Sequence, residues 1–288
     1  MISFELQLGF AISREDPLAR SEREEIVKIQ TTEMLSPETL AQRAKEFYWY
    51  HCMNLGNGVI TDGDYDLTDL LPRYGFPDRM DNMTALDIGR ASGFFAFEFE
   101  RRGAAVTATD LPSYLDWDFV GGEEQQQLKR AQIGDPDCYS VTHLTGAFEF
   151  AHQVMGSNVV GKLINVYDLS PSAFDGKKFD LVFAGSIASH VRDPILAFER
   201  LRSVAKRKCI VAAPSFEIAA VAGLPMMHLI GTADSDRRSW WVLNEPCLVE
   251  MLRCAGFARA EIVSRMTIVN RRIPSLRVDH IVAHAEVE

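Results

Sequence analysis

The residues best suited to chemistry lie in one stretch, ALDIGRASGFFAFEFERRGAAVTATD, residues 85–110. It begins apolar, passes through a turn of small residues, continues as a helix and ends on the carboxylate of Asp110. The turn runs Asp87, Ile88, Gly89, Arg90, Ala91, Ser92, Gly93. A tight strand-to-helix turn presents free backbone N–H groups, and small residues let a ligand come close to them. A dinucleotide loop, G-x-G-x-x-G, would carry its third small residue at position 94. Phe94 and Phe95 stand there instead, so a pyrophosphate would meet a large ring. The pattern is D-x-G-x-A-x-G, with an acidic residue two places before the first glycine. Two roles stay open for Arg90 inside the turn: contact with a ligand carboxylate, or a charge turned to solvent.

Three histidines are candidates for proton transfer. His190 follows a later apolar strand; it either serves a reacting group or caps the helix after it. His143 and His228 fall in two long connections, where each lines a pocket or serves the structure. No residues have metal-ligand spacing, and no Ser-His-Asp or Cys-His pairing is visible. Asp234 and Asp236 read as solvated loop carboxylates.

The elements that must position these groups alternate strand and helix from residue 84 onward. Apolar strands are expected at 84–89, 104–110, 162–168, 179–185 and 208–214, then at about 257–265 and 277–286. Helices are expected at 91–102, 193–205 and 245–255, the last ending at Gly256 as a left-handed cap. Apolar runs of this length separated by helices predict a parallel sheet covered on both faces. Residues 1–80 read as a helical N-terminal extension or lid, with Ser36 as N-cap and Pro37 in the first helical position. Within it, 54–66 is turn-rich and reads as a loop or short hairpin. Residues 81–288 form the main domain. Asp110 and Asp168 stand 58 positions apart (168 − 110), more than one helix and two short loops require. Insertions are therefore expected at about 114–155 and 215–243. Both leave the carboxyl ends of parallel strands, where ligands bind in open α/β sheets. Trp117, Trp240, Trp241, Tyr114 and Phe119 lie in them, to floor a planar substrate or to pack the inserts down.

Bulk properties narrow the function. The chain has 288 residues, 47% hydrophobic and 24% charged, an ordinary globular balance. Five scattered cysteines without CxxC spacing favour a reducing, cytoplasmic setting over a disulfide frame. No apolar stretch is long enough to cross a membrane. Net charge is −10, and the basic residues form small separate clusters, which disfavours a nucleic-acid partner. Residues 1–50 also offer a surface for a homodimer.

The D-x-G-x-A-x-G turn resembles motif I of class I S-adenosylmethionine-dependent methyltransferases. The resemblance implies a Rossmann-like sheet of seven strands, the last one antiparallel, and S-adenosylmethionine as cofactor. It implies that Asp87, Gly89, Arg90, Ala91 and Gly93 cradle the methionine part. Asp110 and Leu111 would hold the ribose, Tyr167 and Asp168 the adenine end, and Ala184 with Gly185 the fourth-strand edge. His190 would then face the methyl group. Residues 45–265 are similar, more narrowly, to the bacterial tRNA wobble-uridine carboxymethyltransferase family and its relatives, through GSIASHVRDPILAFERLRSVAKRKCIVAAP and WWVLNEPCLVEMLRCAGF. Ser189 stands where the tRNA enzymes have Tyr, and their Lys ahead of the domain has no counterpart. The expected activity is methyl transfer to a small-molecule acceptor. The alternatives are tRNA wobble-uridine modification, and a cofactor-binding partner protein without transfer activity.

Overall fold

The computed structural model describes residues 35–111, 116–119, 141–218, 223–231 and 239–288, and the elements below belong to one unit, Ser36–Glu288. Helix α1, Pro37–Ala44, starts as the sequence predicts: the Ser36 side chain accepts the Thr39 N–H, and Pro37 occupies the first turn. The remainder of 45–80 is less helical than expected. Its one helical element is a 3-10 stretch, Thr68–Tyr74, ended by Gly75 in the left-handed region. Bridges of His51 with Tyr65 and of Asn54 with Ile60 hold the turn-rich segment in a hairpin-like loop. Residues 1–34 lie outside the described residues.

Strands β1 (Thr84–Ile88), β2 (Ala105–Asp110), β3 (Val160–Leu163), β4 (Phe179–Gly185) and β5 (Ala205–Pro214) run parallel to one another. Strand β9 (Arg277–Glu286) pairs antiparallel with both β5 and β8 (Arg259–Val269). The order across the sheet is β3-β2-β1-β4-β5-β9-β8, so β9 is the single reversed strand of this Rossmann-like sheet, as expected. Helices α2 (Phe94–Arg101), α3 (Val141–Val154), α4 (Ile187–His190), α5 (Pro194–Val204) and α6 (Glu245–Cys254) connect the strands. Asp193 caps α5 through the Leu196 N–H, and Asn244 caps α6 through the Cys247 N–H. Gly256, at φ +94°, closes α6 as predicted. A separate hairpin, β6 (Met227–Leu229) with β7 (Trp241–Leu243), belongs to the second insertion. Among the described residues no helix is long and apolar enough to cross a membrane.

Burial explains why this topology forms. Leu86, Val182, Leu201, Val211 and Leu248 lie fully buried in the main cluster between β1, β4, β5, α5 and α6. Each such side chain contributes about 1.5–3 kcal/mol relative to exposure. The segment before β1 joins the packing on the other face of the sheet. Tyr74 stacks on Phe76 at 5.2 Å, and Phe76 meets Phe95, Phe99 and Phe183 edge-on.

One expected strand is shorter than its apolar run. β3 stops at Leu163, and Asn165 accepts the Tyr167 N–H with its side chain, turning Val166–Asp168 into a 3-10 helix. Asp168 therefore does not end the third strand. It sits exposed, five positions beyond.

Candidate active site

The turn between β1 and α2 has the backbone that its sequence demands. Gly89, Ala91 and Gly93 all take positive φ (+76°, +48° and +99°). The Gly89 and Arg90 N–H groups both donate to the Thr109 carbonyl at 2.9 Å, which fastens the turn to the end of β2. A β-carbon on Gly89 would come within 2.6 Å of Ile187 Cδ1, and one on Gly93 within 2.9 Å of the Phe148 ring. A side chain at either place would be strained by the left-handed backbone and crowded by its neighbours.

Asp110 is drawn into the same corner. Its Oδ2 accepts the Ala91 N–H at 2.9 Å and its Oδ1 accepts the Leu111 N–H at 2.8 Å. A carboxylate offers about four lone-pair directions, so Asp110 keeps acceptor capacity after both bonds. Burial raises its pKa, opposed by the Leu111 N–H, Arg90 and the Ala91 N–H.

Around the turn, buried polar atoms stand without partners. Asp87 is 1% exposed and Arg90 4%. Asp87 Oδ2, Arg90 Nε and Nη1, and Ser92 Oγ have no hydrogen-bond partner among the described residues. The Arg90 guanidinium lies 4.2 Å from the Phe148 ring centroid on α3, so of its two expected roles the solvent-facing one is excluded. Burial, reinforced by Asp110 and opposed by Arg90, pushes the Asp87 carboxyl up to about 7. Buried groups are almost always satisfied. An ammonium facing Asp87 and a carboxylate facing Arg90 would complete both, and a zwitterionic amino-acid group carries the two together. The residues present thus fit the amino-acid end of S-adenosylmethionine.

The remaining expected residues lie on several elements. Ala184 is fully buried and Gly185 half-buried at the end of β4. The Tyr167 hydroxyl donates to Asp118 Oδ2 at 2.7 Å and accepts the Asp193 N–H at 2.9 Å. His190 ends α4, with Nδ1 3.3 Å from Ser239 Oγ and its ring edge-on to Trp117 at 5.1 Å. His228 is exposed on β6, facing Phe216. The side chain of His143, together with Tyr114, Asp234 and Asp236, lies outside the described residues. Among the described residues no group of three or more His, Cys, Asp or Glu side chains is placed to hold a metal.

Three features escaped the sequence reading. Asp118 ties four segments together: Oδ2 also accepts the Arg192 N–H at 2.8 Å, and its backbone carbonyl accepts Trp240 Nε1 at 2.7 Å. Ser186, at φ +62°, is a left-handed non-glycine residue directly after β4. His280, buried on β9, lies 3.2 Å from its hydroxyl. Nothing local in the sequence marks these pairs, because each joins residues far apart in the chain.

A seven-stranded sheet of this order, with one reversed strand, defines a Rossmann-like architecture. The solved structure of the N-terminal domain of EvdMO1 with SAH bound shares it, with a TM-score of 0.59 at 16% identity, covering 90% of this chain and 100% of that one. The same domain in the presence of SAH and D-fucose gives 0.59 at 17% identity, over 90% and 100% of the two chains. Against EvdMO1 itself the TM-score is 0.52 at 18% identity, and the match spans 89% of this chain but 49% of that one. No family model matches the sequence. No curated protein matches it either.

Proposed function

We propose that this chain is an S-adenosylmethionine-dependent methyltransferase acting on a small-molecule acceptor. The observation that carries the reading is the set of buried atoms on Asp87, Arg90 and Ser92 that have no partner among the described residues, around a turn whose Gly89, Ala91 and Gly93 are all left-handed. In this reading Gly89, Ala91 and Gly93 shape the cradle, Arg90 takes the cofactor carboxylate and Asp87 its ammonium. Asp110 spends its remaining lone pairs on the ribose hydroxyls, beside Leu111. Tyr167, Asp168, Ala184 and Gly185 border the adenine end. The bound group supplies a methyl already activated on a sulfonium, so the protein's work is alignment and exclusion of water. A fold shared with an SAH-bound structure supports the cofactor choice. The net charge of −10 weighs against the tRNA alternative.

Calorimetry with S-adenosylhomocysteine tests this. The wild type is expected to bind, and Asp110→Ala to bind roughly 10- to 100-fold more weakly, as loss of charge-assisted hydrogen bonds worth about 1.5–3 kcal/mol requires. No binding by the wild type, or undiminished binding by the variant, refutes the assignment.

A further inference from the structure

The carboxyl edge of the sheet does not end at the cofactor turn. Beyond β4 a groove of about 490 Å³ opens between the end of β5, the start of α6 and the β8–β9 ladder. That volume lies in the ordinary range for small-molecule sites. Ser186 stands between the two. Its neighbour Ile187 lies against Gly89 of the turn, while its hydroxyl reaches His280, which lines the groove.

The hydrogen bonds of His280 settle which nitrogen holds a proton. Nδ1 lies 3.0 Å from the Val278 carbonyl, and a carbonyl only accepts, so Nδ1 carries the hydrogen. In the neutral ring Nε2 is then an acceptor, and the Ser186 hydroxyl donates to it at 3.2 Å. Ser186 is held in place independently. Its N–H donates to the Ala212 carbonyl at 2.7 Å, and its own carbonyl accepts the Ser189 hydroxyl at 2.8 Å. A left-handed non-glycine residue costs backbone strain of order 1–3 kcal/mol, and such strain clusters at functional sites. The arrangement is a hydroxyl backed by an imidazole whose far nitrogen is anchored, the logic of an activated proton acceptor.

We propose that Ser186 and His280 together accept the proton of the methyl acceptor, and that the adjoining groove binds a neutral, hydroxyl-rich acceptor of sugar type. This rests on the methyltransferase reading above and adds to it the proton path and the acceptor class. As the acceptor oxygen forms its bond to the methyl carbon, the carbon–sulfur bond breaks and the sulfonium becomes a thioether. The acceptor proton passes to Ser186 Oγ while the Ser186 hydrogen passes to His280 Nε2. The positive charge lost from sulfur reappears on imidazolium and leaves as a proton to water. In this proposal Ser186, half-buried behind the groove wall that His280 forms, meets the reacting hydroxyl of the acceptor, and His280 positions and drives it. The acceptor class follows from the groove walls. Glu217, Glu245 and Asp279 supply carboxylates, Asp279 already accepting the Thr267 hydroxyl at 2.7 Å on one oxygen. Among the described residues the one cation of the groove wall, Arg265, is already engaged, with Nη2 donating to Glu245 Oε2 at 2.6 Å. An anion would meet these carboxylates unpaired, whereas hydroxyl donors match them.

The groups facing His280 set its titration. Burial lowers its pKa from 6.5 first, the nearby His190 lowers it further, and the Val278 carbonyl and Asp279 oppose. Glu217, Glu245 and Arg265 line the same groove from the loop after β5, from α6 and from β8. The ring is therefore neutral and able to accept a proton at neutral pH.

The test uses the full chain, S-adenosylmethionine and a panel of methyl glycosides of hexoses as acceptor probes. Production of S-adenosylhomocysteine is read against pH, and the His280 ring resonances are followed by NMR in the SAH-saturated protein. The wild type should turn over at least one glycoside, with an acid limb below pH 6.5, and that glycoside should shift the His280 signals. Ser186→Gly suits the left-handed backbone, so it keeps the fold while removing the hydroxyl. It and His280→Gln should each lose roughly 10²- to 10⁴-fold in kcat. His280→Gln should also lose the acid limb, and both variants should keep wild-type affinity for SAH. If the wild type fails to bind SAH, the methyltransferase reading itself falls. If SAH binds but no glycoside is turned over or moves His280, or if the variants keep the rate and the acid limb, this proposal is overturned and the cofactor assignment stands.

Discussion

Asp87→Asn separates stability from ligand binding at the cofactor turn. In the native protein the Asp87 carboxyl is pushed up to about 7 from an ordinary 3.8, by burial first and by Asp110 second, against the pull of Arg90. Between about pH 4 and 7 the folded state therefore holds a proton that the unfolded chain has released. Stability falls with rising pH wherever the native state binds more protons. Below pH 4 both states are protonated and the site costs nothing. Above 7 both are ionised and the cost is complete. The difference of about 3 units, at 1.36 kcal/mol each, amounts to about 4 kcal/mol. Asparagine keeps the shape and has no charge to bury. Arg90 would lose one of the three carboxylates acting on it, leaving Asp110 and Glu149, so the net gain lies below that figure.

Urea unfolding of wild type and variant from pH 4.5 to 8 measures this directly. The stability advantage of Asp87→Asn should be small at the acid end, grow through the window and level off above about pH 7. The groups common to both proteins cancel in the difference. The same variant should bind S-adenosylhomocysteine more weakly, giving a firmer protein with a poorer site, as expected where a site is built at the expense of stability. Parallel pH curves for the two proteins would show that Asp87 is not the buried, unpaired acid described here, and the ammonium assignment would go with it.

Two further perturbations follow from the geometry. Gly89→Ala puts a β-carbon 2.6 Å from Ile187 Cδ1 on a backbone of φ +76°, so it should lower the thermal midpoint by several degrees, consistent with a loss of about 1–3 kcal/mol. A midpoint equal to wild type would mean that the turn relaxes freely. Tyr167→Phe deletes the hydroxyl that joins Asp118 to the Asp193 N–H. A loss of about 1–3 kcal/mol is expected, with faster amide exchange at Arg192 and Asp193, and unchanged exchange there would show that Asp118 holds the segment without it.

What could be read from the sequence was whatever the backbone imposes locally. The Asp87–Gly93 turn was legible because left-handed φ and close approach at Gly89 and Gly93 leave few residues to choose from. The Ser36–Pro37 and Gly256 helix ends were legible for the same reason: a cap satisfies bonds within three or four residues. Asp168 was misplaced because the apolar run KLINVYD hid one competing side chain. Asn165 accepts the Tyr167 N–H and diverts the backbone two residues before a strand would have continued. The mostly irregular course of 45–80 follows a similar rule, since Thr61 satisfies both the Met53 N–H and the His51 carbonyl, bonds that no helix would leave open.

His280 was invisible for a different reason. It opens a run of four buried residues on β9, and a buried histidine in such a run has no local signature that tells packing from function. Its meaning comes from Ser186, 94 residues earlier, and the two meet only because β9 runs antiparallel beside β5, with His280 opposite Pro214. The reversed strand is what brings the first residues of β9, rather than its last, to the edge where the parallel strands end. A single inversion in sheet order therefore places a side chain from near the C-terminus next to the turn after β4. A chemistry-bearing residue at the beginning of a reversed strand is equivalent, in space, to one at the end of a parallel strand, and it is there that sequence reading has to look for partners.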